Sequence, residues 1–362
     1  MSVPLQLGQA PVLPKSVERI LVILPSWVGD VCMATPVVRH LAATYPAARI
    51  VLLGRPMLAP LVAGLPFAHA FIGGSMRGLA AMSELRAIHR ERFDALVLLP
   101  NSFRSALFGR LTGIPHRAGS ARDGRSWLLS HPFHQRRGMQ SAVDSYADLA
   151  EWCTGARLVD RRVELAVTAE EQAQARLLLD DHATSGSDPA RNLILLNPGA
   201  NRLDKRWPAH AFARAALAIS AQCTTRGTPR RIAVTGNPSE SALCADVARA
   251  CGAIDLCARG VTLGSLKAIL QRTALLISND TGPRSIAAAL GTPTIALFGP
   301  TDCRWTPLDY PNELRLLAEP FVTETSIADD HKKLCAIDRI SVADVVAAAR
   351  TLELRLAAQP SK

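Results

Sequence analysis

The feature that most constrains this chain is a pattern that occurs twice: short, unbroken apolar runs separated by helix-length amphipathic stretches. The first series opens with Ile20-Leu21-Val22-Ile23-Leu24 and a helical stretch over about 30–45. It continues through Ile50-Val51-Leu52-Leu53, a short helix near 57–64, Ala70-Phe71-Ile72, a helix over about 79–90 and Ala95-Leu96-Val97-Leu98-Leu99. The second holds Leu193-Ile194-Leu195-Leu196, Ile232-Ala233-Val234, Leu275-Leu276-Ile277 and Thr294-Ile295-Ala296-Leu297-Phe298, with helices near 169–181, 208–221, 239–250, 262–271 and 282–290. Such runs, bounded by Gly, Pro or polar residues, are the pattern of strands buried on both faces. Alternating them with helices implies parallel sheets with right-handed crossovers. The expected class is α/β, with two doubly wound halves in tandem facing across a cleft. Between about 113 and 140 the pattern fails, in a stretch rich in arginine, and a helix over about 141–153 closes the first half.

Composition narrows the function. A chain of 362 residues matches two domains at about 150 residues each. Lys and Arg number 41 against 31 Asp and Glu, a net charge of +10 that favours an anionic partner. Aromatic residues are 5% of the chain, too few for a base-stacking platform, and nucleic acid is not the expected partner. No apolar run reaches the ~18 residues of a membrane span. The first nineteen residues lack a basic stretch ahead of an apolar one, so no secretory leader is expected. The eight cysteines include no Cys-x-x-Cys pair and read as reduced thiols in a cytoplasmic protein. His131 and His134 are three apart, but Pro132 spoils a helical ligand face, and no metal site is expected. Walker A, Gly-x-Gly-x-x-Gly and Gly-x-Ser-x-Gly motifs are absent, which speaks against an NTPase, a nicotinamide dehydrogenase and a serine hydrolase.

In open parallel sheets, ligands bind beyond the carboxyl ends of the strands, and four strand exits have unusual content. In Pro25-Ser26-Trp27-Val28-Gly29-Asp30, Gly29 permits a tight turn and Asp30 stands at a helix start. Asp30 has two readings, a helix N-cap or a general base that takes a proton from a substrate hydroxyl. They compete, because a capped carboxylate is the weaker base. In Asn197-Pro198-Gly199-Ala200, small residues leave backbone amides open to a phosphate. Lys205, in Lys205-Arg206-Trp207-Pro208, supplies a point charge; the alternative is a solvated Lys-Arg pair with Trp207 anchoring the next helix. In Ser278-Asn279-Asp280-Thr281-Gly282-Pro283, Thr281 and Gly282 open a helix whose N-terminus is an anion site, or an ordinary capped turn. Gly299-Pro300-Thr301-Asp302 is placed to close the same pocket.

In this order the four loops resemble those of the ADP-heptose:lipopolysaccharide heptosyltransferases, particularly the heptosyltransferase II branch. The resemblance runs from about Ile20 to Pro300 and is strongest at residues 25–30, 197–208 and Asn279–Pro300 (NDTGPRSIAAALGTPTIALFGP). It implies a GT-B fold of two Rossmann-like domains: residues 1–160 for the acceptor, 161–340 for the ADP-sugar, and a helix over 341–358 packing back on the first. The implied chemistry is inverting and metal-independent, with no cofactor: a heptose passes from ADP-heptose to a hydroxyl of the lipopolysaccharide inner core. Asp30 matches the family's catalytic aspartate, Lys205 its phosphate-contacting lysine, and Asp280-Thr281-Gly282 the segment lining the diphosphate-sugar pocket. Asn197, Gly199, Ala200 and Gly236 join the donor side. By position alone, Glu240 is assigned to a ribose hydroxyl and Thr262 and Leu263 to the adenine.

On the acceptor side stand Trp27, Gly29 and the arginines Arg117, Arg125 and Arg137, facing an anionic glycolipid at the cytoplasmic surface of the inner membrane. Two departures matter. Related enzymes carry a histidine where this chain has Ser285, so a donor contact is either lost or passed to Arg284. The cysteine-rich segment common near the end of the II branch is also missing. The competing expectations are a relative using another nucleotide sugar and a nucleotide-sugar-binding homologue without turnover.

Overall fold

Ile20–Ile23 and the whole of Ala95–Leu98 are buried, as central strands of a parallel sheet covered on both faces must be. The computed structural model describes residues 11–78, 80–135, 140–180, 192–222, 224–225, 228–318 and 326–358. The chain divides into two units: one runs to Ala166 and includes Arg304–Asp309, and the other runs from Val167 to Cys303 and resumes at Tyr310. The division at Ala166 lies a few residues beyond the expected boundary at 160.

The first unit contains strands β1 (Arg19–Ile23), β2 (Arg49–Gly54), β3 (Ala70–Gly73), β4 (Ala95–Leu98), β5 (His116–Ser120) and β6 (His131–Phe133). Its helices are α1 (Val28–Thr44), α2 (Ala59–Val62), α3 (Ala80–Glu91), α4 (Phe103–Leu111) and α5 (Ala142–Thr154). The strands form one sheet in the order β3-β2-β1-β4-β5-β6. All neighbours are parallel, and Ile20 is in register with both Ile50 and Ala95.

In the second unit, β7 (Leu193–Asn197) is followed by a short antiparallel hairpin, β8 and β9 (Thr224–Thr225 and Thr228–Pro229). Then come β10 (Arg231–Val234), β11 (Ile254–Asp255), β12 (Leu275–Asn279), β13 (Thr294–Phe298) and β14 (Glu313–Leu317). The helices are α6 (Ala169–Leu178), α7 (Ala209–Gln222), α8 (Ser241–Cys251), α9 (Leu263–Arg272), α10 (Gly282–Leu290) and α11 (Val342–Ala357). The main sheet is again parallel and ordered β11-β10-β7-β12-β13-β14. Counted within its unit, each sheet therefore reads 3-2-1-4-5-6. The direction of winding reverses between β1 and β4, and again between β7 and β12. That reversal parts the loops at the carboxyl ends of these strands and makes the crevice in which such sheets bind ligands.

Three features depart from the sequence reading. The stretch over 113–140 is not patternless, since β5 and β6 lie in it; they are short and polar, and Pro132 is tolerated because β6 is an edge strand. α4, the β8–β9 hairpin, β11 and β14 also went unrecognised. The last helix belongs to the core of the second unit, not the first. Val345, Ala348, Ala349 and Leu352 form its buried stripe, and it packs on α7, β13 and β14.

Helices α6 and α9 meet over a buried ion pair, Lys267 Nζ to Glu171 Oε1 at 3.1 Å, with Lys267 wholly buried. The other Glu171 oxygen accepts from the Thr168 amide and closes the capping box of α6. Removing one member of a buried pair leaves the other desolvated, so Glu171→Ala should cost on the order of 3–5 kcal/mol. Thr168→Ala, which loses only the cap, should cost about 1 kcal/mol. Urea denaturation of both variants measures the difference.

Candidate active site

In the first unit the loop after β1 leads straight into α1. Trp27 occupies the N-cap position in an extended conformation, makes no side-chain cap hydrogen bond and is 61% exposed. Gly29 lies inside the first turn of the helix and is not among the positive-φ glycines, so the tight turn expected of it is not its role. Asp30 is the third residue of α1. Its half-buried carboxylate accepts no hydrogen bond among the described residues, and burial pushes its pKa up even though a helix N-terminus favours negative charge. The N-cap reading therefore does not hold here, and what remains is a carboxylate made more basic by desolvation.

Tyr146, on α5, escaped the sequence reading. Burial, and after it the nearby Asp30 carboxylate, push its phenol pKa well up. Tyr146 also lines a cavity of about 110 Å³ at the carboxyl ends of β4 and β5, together with Leu99, Asn101, Ser120, Arg122 and Gln135. Two polar atoms of this lining, Ser120 Oγ and Gln135 Oε1, are buried and have no hydrogen-bond partner among the described residues. The Arg122 guanidinium is exposed and makes no hydrogen bond or ion pair among the described residues. Only the fold brings these residues together, because they come from three separate strand exits and a helix.

Two of the three arginines expected to meet the acceptor are used otherwise. Arg125 is wholly buried, and burial lowers its pKa to about 10. Its guanidinium donates to the carbonyls of Ser120 (2.7 Å), Pro100 (2.7 Å) and Ser102 (3.0 Å) and to Ser105 Oγ (3.2 Å). That assignment is therefore corrected: Arg125 is a brace between strand exits. Arg117 is half-buried and donates to the carbonyls of Ile114, Pro115 and Leu128, which also makes it a loop tie. Arg137 lies outside the described residues.

In the second unit two asparagines lock together the loops that leave β7 and β12. Asn197 Nδ2 donates to Ser278 Oγ (3.1 Å) and Thr281 Oγ1 (2.8 Å). In return, Asn279 Nδ2 donates to the Pro198 (2.9 Å) and Gly199 (3.3 Å) carbonyls, and its Oδ1 accepts from the Trp207 amide (3.2 Å). Trp207 is buried, and its Nε1 donates to the Ile340 carbonyl at 2.8 Å. Arg206 holds the Ala200 carbonyl through two bonds of 2.9 and 2.8 Å, which leaves its neighbour Lys205 to project from the loop. The half-buried Lys205 ammonium makes no hydrogen bond or ion pair among the described residues.

Thr281, the N-cap residue of α10, does not cap the helix with its side chain; its hydroxyl accepts from Asn197 and donates to the Asn279 carbonyl at 3.2 Å. The first turn of α10, starting at Gly282, is thus free of a side-chain cap, which suits an anion. Ser285 is buried in that turn. Arg284 does not take over from it. Its guanidinium is 1% exposed, forked onto Glu313 at 2.8 and 2.9 Å, bonded to Asp280 Oδ1 at 2.9 Å, and 4.9 Å from the centre of the Phe298 ring. Burial works against both charges, yet the pairing holds the Arg284 pKa above and the Glu313 pKa below their ordinary values. Arg284 is corrected from donor contact to a support beneath α10, with Asp280 tied to it.

Glu240 is buried, accepts from the Asn237 amide at 3.0 Å and lies 3.5 Å from Arg206, so its carboxylate is already engaged. Thr262 caps α9 by accepting from the Ser265 amide at 3.2 Å, and Leu263 is the first residue of that helix. Gly236 packs against Cys244, whose sulfur would lie 2.7 Å from a Cβ. The loop Gly299–Asp302 is tied down where Asp302 donates its amide to Asp329 at 3.2 Å. Among the described residues, no group of three His, Cys, Asp or Glu is placed to hold a metal ion. No described helix is long and apolar enough to cross a membrane.

Comparison with known proteins gives a consistent result. The profile of glycosyltransferase family 9 (heptosyltransferase) matches residues 82–331. Lipopolysaccharide heptosyltransferase 2 of Salmonella typhimurium is 28% identical over 308 residues, covering 80% of this chain and 85% of that protein. Among solved structures, the glycosyl transferase family 9 protein of Veillonella parvula superposes with a TM-score of 0.79 at 23% identity, covering 93% of this chain and 97% of that one. ADP-heptose LPS heptosyltransferase II of E. coli gives a TM-score of 0.75 at 23% identity, covering 94% and 100%.

Gly199 tests the second-unit geometry. A Cβ there would lie 2.2 Å from the Glu240 carboxyl, closer than any relaxed contact allows. Gly199→Ala should lose about 1–3 kcal/mol by overpacking, and Glu240→Ala in the same background should recover part of that loss. Thermal denaturation of the two single variants and the double variant decides it.

Proposed function

The chain belongs to glycosyltransferase family 9, the heptosyltransferases, and on that premise we propose that it moves a heptose from ADP-heptose to a hydroxyl of the lipopolysaccharide inner core. In this reading the first unit binds the acceptor and the second binds the donor. The lone pair of the acceptor oxygen forms a bond to the anomeric carbon as the bond from that carbon to the diphosphate breaks, inverting the centre in one displacement. Asp30 takes the hydroxyl proton. Lys205 and the uncapped start of α10 balance the charge that develops on departing ADP, with no metal required. The reaction is placed at the cytoplasmic face of the inner membrane.

The observation that carries the reading is the state of Asp30. A carboxylate that has neither a cap hydrogen bond nor an ion-pair partner among the described residues, and whose pKa burial raises, is suited to accept a proton rather than to hold a helix. Support on the donor side comes from Lys205 and α10, which leave an ammonium and a helix start open on neighbouring loops that the asparagines hold rigid. Buried Ser285 favours a test panel that includes other ADP-sugars beside ADP-heptose.

Purified protein, ADP-heptose and a heptose-deficient lipopolysaccharide acceptor should yield glycosylated product and ADP, with turnover surviving a chelator. Asp30→Asn should lower kcat by roughly 100- to 10,000-fold while leaving ADP binding in place; Lys205→Ala should weaken ADP binding. Because the Asp30 pKa is raised, kcat/KM should fall with decreasing pH in a limb lying above the ordinary aspartate range, and Asp30→Asn should remove that limb. The same shift has a stability consequence. A raised folded-state pKa means that the folded protein holds the proton more tightly, so the ionised group costs stability once pH exceeds that pKa. Asp30→Asn should therefore raise Tm near neutral pH, by a margin that shrinks on acidification. ADP binding without transfer from any ADP-sugar would instead identify a non-catalytic homologue.

A further inference from the structure

Helix α4 carries apolar side chains on opposite sides. Ala106 and Phe108 are buried inward, while Phe103, Leu107 and Leu111, spaced four apart on the other side, are 44, 39 and 55% exposed. Trp127, 70% exposed, extends this ridge, its ring centre 6.2 Å from that of Phe103. Single exposed apolar residues are ordinary on a protein surface; a contiguous row of them is not. The exposed Arg104 and Arg110 flank the ridge on the same side of the helix, and the exposed Arg122 follows β5. Among the described residues between 95 and 135, Arg104, Arg110 and Arg122 are the exposed arginines and Asp123 is the one acidic residue.

We propose that this face, Phe103, Leu107, Leu111 and Trp127 with their flanking arginines, docks on an anionic lipid bilayer. Leucine, phenylalanine and tryptophan side chains enter the headgroup boundary of a bilayer, and long cationic side chains reach from the same surface to lipid phosphates. The near absence of acidic residues makes the charge complementary to such a membrane. A nucleic acid would engage the arginines and leave the apolar ridge without a partner.

Arg125 gives the surface its rigidity. Its guanidinium ties the segment that carries Trp127 to the carbonyls of Pro100 and Ser102, at the entrance to α4. The same entrance contributes Leu99 and Asn101 to the 110 Å³ cavity, so docking would bring that cavity to the lipid surface. The inference rests on the functional reading only in taking the acceptor to be a membrane glycolipid; the docking itself is measured without donor or acceptor.

The experiment is co-sedimentation of the full chain with vesicles of phosphatidylglycerol and phosphatidylethanolamine, and with phosphatidylcholine vesicles for comparison. Binding to the anionic vesicles, falling with added salt, is expected. Leu107→Gln and Trp127→Gln should each weaken it roughly tenfold, and Arg104→Gln and Arg110→Gln roughly fivefold each. All four side chains are exposed, and unchanged Tm values would verify that the variants fold. No binding to anionic vesicles would overturn the proposal, as would binding that the four variants leave unchanged. So would a shift from dimer to monomer in the Leu107 and Trp127 variants without loss of vesicle binding, which would assign the face to a second copy of the chain. Transfer to a delipidated acceptor reports separately on the function: if the unsubstituted chain catalyses it yet binds no anionic vesicles, only the docking proposal falls.

Discussion

A parallel sheet sheathed by helices has its backbone polarity satisfied everywhere except at the strand ends, so chemistry is confined to the loops there. Such loops must be rigid to hold a ligand, yet they have no ladder of their own. In the second unit that rigidity comes from the reciprocal bonds of Asn197 and Asn279, each reaching from one strand exit into the other. An amide side chain suits this task because it both donates and accepts, and Asn279 uses both ends at once. The side chains on either side are then released from structural duty. Lys205 projects because Arg206 holds the loop, and α10 keeps an open first turn because the Thr281 hydroxyl is occupied by Asn197 and the Asn279 carbonyl.

The same division of labour explains why the positive charge of the chain is a poor guide to its ligand contacts. Arg125, Arg284 and Lys267 are buried and act as structural ties, to carbonyls or to Glu313 and Glu171. A buried guanidinium with several oxygens around it is a multivalent link between loops, which is a use that no spacing in the sequence announces. Arg125 shows this most clearly: it lies in the arginine-rich stretch and was assigned to the acceptor, but its donors all point inward. Arg122, three residues before it, is exposed.

Much of the architecture was legible because buried strands need unbroken apolar runs, and eight of these stood out between turn residues. β5, with the sequence His-Arg-Ala-Gly-Ser, was not legible, because its burial comes from its sheet neighbours and not from its own composition. α4 was missed because it is apolar on both sides and so shows no helical stripe. The position of α11 was misjudged by family resemblance, although its stripe of Val345, Ala348, Ala349 and Leu352 was present to be read; a stripe reveals that a helix packs, not on what. Asp30, Lys205 and the start of α10 stand out in the sequence because each follows a strand exit. Tyr146, Ser120 and Gln135 do not, since their meeting is a product of the winding order alone.

The most instructive outcome concerns Asp30, for which sequence left two roles open. An acid in the first turn of a helix is ordinarily there to receive amide hydrogen bonds, and that use lowers its pKa. Here Trp27, a residue with no oxygen to offer in its side chain, takes the N-cap position, and the Asp30 carboxylate remains without those bonds. Both choices sacrifice helix stability at the same place. A sequence selected for stability alone would exchange Trp27 for a serine or threonine and let the acid close a capping box, as Asp344 and Ser341 do at the start of α11. Of two helix starts in one chain, the second is closed by a capping box and the first leaves its acid without one, at a cost in helix stability that folding does not require.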